Sequence, residues 1–173
     1  PKLDNFVLHH RDPDNASSAL ALLEKYPDAK IIGQPQTFKL FEQFFRHPMT
    51  DRYVAVKEGD QLALGKHTLQ FVKAPMVHWP EVIMSYDLTD HVLFSADAFG
   101  QFGTVGNVYA DQVDFEENYL DSARRYYVNI VGKYGPQVVN VLKKASGLPI
   151  DFICPLHGFV FRTPATIKYI SDK

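Results

Sequence analysis

The apolar positions recur with two periods. Within residues 35–45, Phe38, Phe41, Phe44 and Phe45 fall three and four apart, which predicts a helix with a core-facing aromatic stripe. Residues 17–26 predict another, with Leu20, Leu22 and Leu23 apolar and Pro27 as its stop. A longer helical pattern covers 114–131 and opens on the acidic turn Phe115-Glu116-Glu117; Gly132 and Gly135-Pro136 interrupt it. Further helices are predicted over 137–145 and, after Thr163-Pro164, over 165–170. Elsewhere the apolar residues alternate or form short runs, and strands are expected at 5–9, 30–33, 53–57, 61–64, 68–73, 82–86, 92–94 and 150–154. Glu58-Gly59-Asp60, Gly65-Lys66 and residues 87–90 are the turns between them. The Gly-rich stretch 99–111 reads as a loop that covers something.

Length and composition fit one α/β domain spanning 1–173. Of 173 residues 46% are hydrophobic and 22% charged, with a net charge of −2. No Lys/Arg stripe suggests nucleic acid, and no apolar run is long enough for a membrane helix. The single cysteine, Cys154, leaves no internal disulfide, which suits a cytoplasmic location. Pro1-Lys2-Leu3-Asp4 runs at once into a strand, so the chain is expected to be a partial domain.

The chemistry concentrates in His9-His10-Arg11-Asp12-Pro13-Asp14-Asn15, between a strand and a helix. Taken alone, this is ordinary turn and N-cap composition. Three more strands end the same way, delivering His78, Asp97 and His157. Loops at one end of a sheet commonly carry function. Imidazole nitrogens beside carboxylate oxygens suit iron, manganese or zinc. His9 alternates away from His10 and is expected in the core or behind the ligands. His47, His67 and His91 lack the strand-end setting and are expected at the surface or in turns.

The order of these ligands resembles the metallo-β-lactamase superfamily. The flanking words Ala74-Pro75-Met76-Val77-His78-Trp79-Pro80, Leu93-Phe94-Ser95-Ala96-Asp97-Ala98-Phe99-Gly100, Ala123-Arg124-Arg125-Tyr126-Tyr127 and Cys154-Pro155-Leu156-His157-Gly158 resemble flavodiiron proteins, as does Lys57-Glu58-Gly59-Asp60. The resemblance covers nearly the whole chain. It implies an αββα sandwich with two irons at its edge, reducing dioxygen to water or nitric oxide to nitrous oxide. Electrons would come from FMN in a flavodoxin-like domain, and the flavin of one subunit would face the irons of another. It places iron one on His10, Asp12 and His78, iron two on Asp14 and His157, with Asp97 bridging. Tyr126 or Tyr127 would stand near the metals. Trp79, Phe99 and Phe102 would keep water out and admit a gas, with Trp79 the aromatic expected against the cofactor.

The chain departs from the family pattern at two positions. Asp12 stands in place of a glutamate and is one methylene shorter. Asn15 stands in place of a histidine, and a carboxamide is a poor iron ligand. No flavodoxin-like part is present in the 173 residues, so an electron-donor domain or protein is an expected partner. An open sheet edge predicts homo-oligomers. Two other functions are compatible with the sequence: a zinc-dependent hydrolase of the same superfamily, and a degenerate domain with an impaired site.

Overall fold

The computed structural model describes residues 2–46, 48 and 50–173, with only the backbone of Thr50. Pro1 and His47, on which sequence expectations fell, lie outside the described residues.

The first sheet is all parallel, in the order β1 (Asn5–Val7), β2 (Lys30–Gly33), β3 (Tyr53–Ala55). Parallel neighbours need crossovers. These are α1 (Pro13–Ala16) with α2 (Ala19–Lys25), and α3 (Pro35–Phe45). The second sheet runs β4 (Gln61–Leu64), β5 (His67–Lys73), β6 (Ile83–Asp87), β7 (Val92–Phe94), β8 (Phe152–Cys154). It is antiparallel except for the β7–β8 pair. The remaining helices are α4 (Phe115–Asn118), α5 (Leu120–Ile130), α6 (Gly135–Ala145) and α7 (Pro164–Asp172).

Strand periodicity sorts the core into layers. Ile31 faces Ala16, Leu23 and Phe41 of the first helices, whereas Ile32 faces Phe71 and Ile83 of the second sheet. On β6, Met84 and Tyr86 face away from the first sheet and pack with Val131 and Val141 of the later helices. Helices, sheet, sheet, helices is the αββα sandwich.

Three sequence expectations are corrected. The helix expected over 17–26 is two pieces, starting at Pro13 and jointed at Ser17-Ser18; serine hydroxyls compete with the helical backbone. The helix over 114–131 breaks at Tyr119, whose φ of −131° leaves the helix while its ring packs edge-on against Phe159 at 4.8 Å. Asp114 caps the first piece, its Oδ1 accepting from the Glu117 amide at 3.1 Å. Gly135-Pro136 lies past the end of α5, as expected, but opens α6 two residues ahead of its expected start at 137, since proline suits the first helical turn. The Phe stripe of α3 is core at Phe38 and Phe41, while Phe44 is exposed.

Candidate metal centre

The chain leaves β1 by crossing between the sheets. Leu8 donates its amide to Ile32 of the first sheet, and the Ile83 amide donates to the His9 carbonyl at 3.0 Å. Alternation then parts the two histidines. His9 Nε2 lies 2.7 Å from Ser85 Oγ, and burial pushes this imidazole down to about 4, so it is neutral at pH 7. His10 turns the other way, fully buried, with Nδ1 2.8 Å from Glu81 Oε1.

Asp12 occupies the N-cap position of α1, yet its side chain makes no capping bond. Its Oδ2 lies 3.2 Å from His10 Nε2 and 3.4 Å from His78 Nε2 instead. His78 and Asp97 come from loops with uncommon backbone: Met76 and Ala96 have φ of 64° and 52°. Non-glycine residues in this region cost energy and cluster at functional sites. Asp97 Oδ2 lies 3.1 Å from His78 Nε2 and 3.5 Å from His10 Nε2. Its other oxygen, Oδ1, is buried and lies 3.4 Å from His157 Nε2. Asp14 Oδ2 is 3.3 Å from the same nitrogen. The His157 loop is tied to the Asp97 loop by the Leu156 amide, 2.8 Å from the Ala96 carbonyl. Gly158, at φ +92°, lies so close to Gln101 that a Cβ would stand 2.5 Å from its Cγ.

These contacts suit a cation, either the proton of an imidazolium or a bound metal ion. Glu81 is only an acceptor, so His10 Nδ1 carries a proton, and once the second proton leaves, Nε2 presents a lone pair. That lone pair faces carboxylate oxygens and His78 Nε2 at 3.2 Å. Donor separations of 3.1–3.5 Å match the edge of a tetrahedron whose corners lie roughly 2.0–2.1 Å from its centre. His10, Asp12, His78 and Asp97 thus fit one metal ion, and Asp97 Oδ1 with Asp14 and His157 fits part of a second.

The metal-free charges agree. Burial opposes a charged His10, but the hydrogen bond to Glu81 and the Asp97 and Asp12 carboxylates outweigh it and hold His10 above its usual range. The hydrogen bond to Asp97 raises His157 likewise. Asp97 is driven well below the carboxylate range: burial would raise it, and the bonds to His157 and His78 prevail. Glu81 is lowered by His10 against its burial.

Tyr126, not Tyr127, faces this cluster. Its ring centroid is 5.9 Å from that of His157, and burial, then the Asp97, Asp14 and Asp12 charges, raises its phenol. Tyr127 is 44% exposed. Gly100 admits the Tyr126 ring, which would lie 2.9 Å from a Cβ there. Trp79 stands edge-on to His10 at 5.7 Å and to His78 at 6.2 Å, with the Arg11 guanidinium 4.2 Å over its ring. Asn15 Nδ2 is buried and unpartnered. His67 and His91 are not at the cluster; His67 Nδ1 pairs with Asp87 at 2.8 Å and His91 Nδ1 with Asp151 at 3.0 Å.

The sequence reading missed Glu81. Its backbone carbonyl accepts from Gln34 Nε2 at 2.9 Å and from Thr37 Oγ1 at 3.3 Å, which holds the residue rigidly behind His10. The available signal was a lone carboxylate in the apolar run Trp79-Pro80-Glu81-Val82-Ile83.

Known proteins resemble this chain in sequence and in fold. The rubredoxin-oxygen oxidoreductase of Megalodesulfovibrio gigas is 35% identical over 98% of the chain and 43% of its own length. The anaerobic nitric oxide reductase flavorubredoxin of Aliivibrio salmonicida is 35% identical over 95% of the chain and 33% of its length. The crystal structure of the flavodiiron protein from Giardia intestinalis superposes with a TM-score of 0.90 at 28% identity, over 98% of the chain and 41% of its own. The chain therefore spans less than half the length of these relatives. With residues 1–158 matched by the family model described as ODP family beta lactamase, and relatives that are flavodiiron proteins, the chain belongs to that beta-lactamase-like family.

Proposed function

We propose that the chain is the diiron domain of an oxidoreductase that reduces dioxygen to water, or nitric oxide to nitrous oxide. The observation that carries this is Asp97, whose two oxygens face two separate ligand groups. Iron one takes His10, Asp12, His78 and Asp97; iron two takes Asp97, Asp14 and His157. An iron pair held there would supply electrons to one dioxygen or to two nitric oxide molecules. The balances are O2 with four electrons and four protons giving two H2O, and two NO with two electrons and two protons giving N2O and H2O. The buried Tyr126 phenol stands beside His157 to hold or pass a proton, and Trp79 closes the His10–His78 side against water.

Electrons come from FMN in a flavodoxin-like domain of the parent protein or of a partner subunit. A rubredoxin-type donor upstream follows the name of the Megalodesulfovibrio relative. A cytoplasmic location and self-association belong to the same reading; β1 is an edge of the three-stranded sheet, and edges pair. Among the described residues no helix is long and apolar enough to cross a membrane.

The test is elemental analysis of protein purified without chelator, followed by anaerobic reduction with dithionite and mixing with each gas. Near two irons per chain and rapid reoxidation support the proposal. Two zincs with ester or phosphodiester hydrolysis would replace it with a hydrolase, and no metal with a degenerate domain.

A further inference from the structure

A cavity of about 280 Å³ has Asp97 in its lining and none of the histidines of the cluster. Its walls come from three parts of the fold: Leu120 and Ala123 on α5, Val138 and Leu142 on α6, and Val77 and Phe99 on the two loops that present His78 and Asp97. Polar side chains line it at two places. One is the buried pair Asp97 and Tyr126; the other is Arg124 with the exposed last turn of α7. Apart from these residues and the Tyr127 phenol, the lining is mostly apolar. Of the aromatics expected to shield the site, only Phe99 lines this space; Trp79 and Phe102 do not.

We propose that this cavity is the holding site and path for a small neutral gas, the substrate class of the reading above, on which this inference rests. Water gains little in such a space, because a buried water needs two to four polar partners. An apolar cavity of about 150 Å³ stays dry and takes benzene or xenon. A neutral diatomic molecule has no hydrogen bonds to lose on entering, whereas hydrated anions and cations do. The cavity therefore concentrates gas beside Asp97 and holds back bulk water.

Two substitutions narrow it without touching a metal ligand. Ala123→Leu fills it from α5, and Val138→Phe, at a half-buried position, fills it from α6. Val128→Phe on the exposed side of α5 is the control, because Val128 is 69% exposed and does not line the space. The probes are xenon, located by pressurised crystals or xenon NMR, and the gas concentration that half-saturates reoxidation of the reduced, iron-loaded chain. Xenon should occupy the wild-type cavity. Each filling variant should raise the half-saturating gas concentration about tenfold, with the limiting rate and iron content unchanged. Val128→Phe should match wild type. An active wild type without xenon in this space, or filled variants with unchanged saturation, overturns the cavity's role alone. Xenon bound in an iron-loaded wild type that consumes neither gas overturns the path through failure of the reductase reading itself.

Discussion

The two halves of the candidate centre differ in construction. The first is the more buried: His10 and Asp97 are buried, Asp12 and His78 partly so, the His10 ring is fixed by Glu81, and four donor atoms lie close enough to surround one ion. The second is open. The side chains of His157 and Asp14 are 32% and 59% exposed, and Asn15 stands where the family pattern has an imidazole. Both halves take one oxygen from the same carboxylate. A buried, preoriented set loses little on binding, while an exposed set must be ordered and competes with water. The first position is therefore expected to bind more tightly, and the second to decide whether the chain holds a metal pair.

The strongest way to break this contrast is to remove what both halves use. Asp97→Ala should empty both positions, taking iron from near two per chain to near none by elemental analysis, with no fall in the content of secondary structure. A loss confined to one metal would mean that Asp97 does not bridge.

Glu81→Gln acts on the first half alone. The amide keeps the shape but loses the negative charge behind His10, and loss of such a partner typically costs about 10–100-fold in metal affinity. Chelator titration should show the tight site weakened and the weak site unmoved. Asn15→His works in the opposite direction on the second half: occupancy there should rise, and the affinities should converge. An unchanged stoichiometry would show that position 15 does not limit the site.

Acidity sharpens the contrast further. His10 and His157 are both raised above 6.5, so each holds its proton past that pH in the metal-free protein. The stability they contribute is fully present below pH 6.5 and is lost as pH rises through the raised values. Metal must displace these protons, so apparent affinity should fall as pH drops through the same window. Thermal melts with and without iron at several pH values would show the two opposed trends. The smallest effect lies far from either half. Thr163→Ala removes the capping box that begins α7 and should cost about 1 kcal/mol in denaturant unfolding with metal content unchanged.

Much of this was legible in the chain. The helix over Pro35–Phe45 and the strands Lys30–Gly33, Gln61–Leu64 and Val92–Phe94 match their periodicity residue for residue. Those signals are local, since a helix or strand face is written into nearest neighbours. The side chains of the cluster were legible for a related reason: each follows an apolar strand within a few residues, and four such strand ends were visible. The joints at Ser17-Ser18 and Tyr119 were not, because each depends on what the segment packs against.

By itself the sequence determined most of the helices and strands and, through its family resemblance, pointed to the αββα layering and to the side chains that converge at one site. Only the tertiary structure decided which of two adjacent tyrosines faces that edge and which carboxylate supports His10. It also buried the first group of candidate ligands more than the second, and left a largely apolar cavity beside Asp97. Each of these is a relation between residues from separate elements, such as His10 and Glu81, 71 positions apart. No period along the chain encodes that distance; packing the two sheets against each other does.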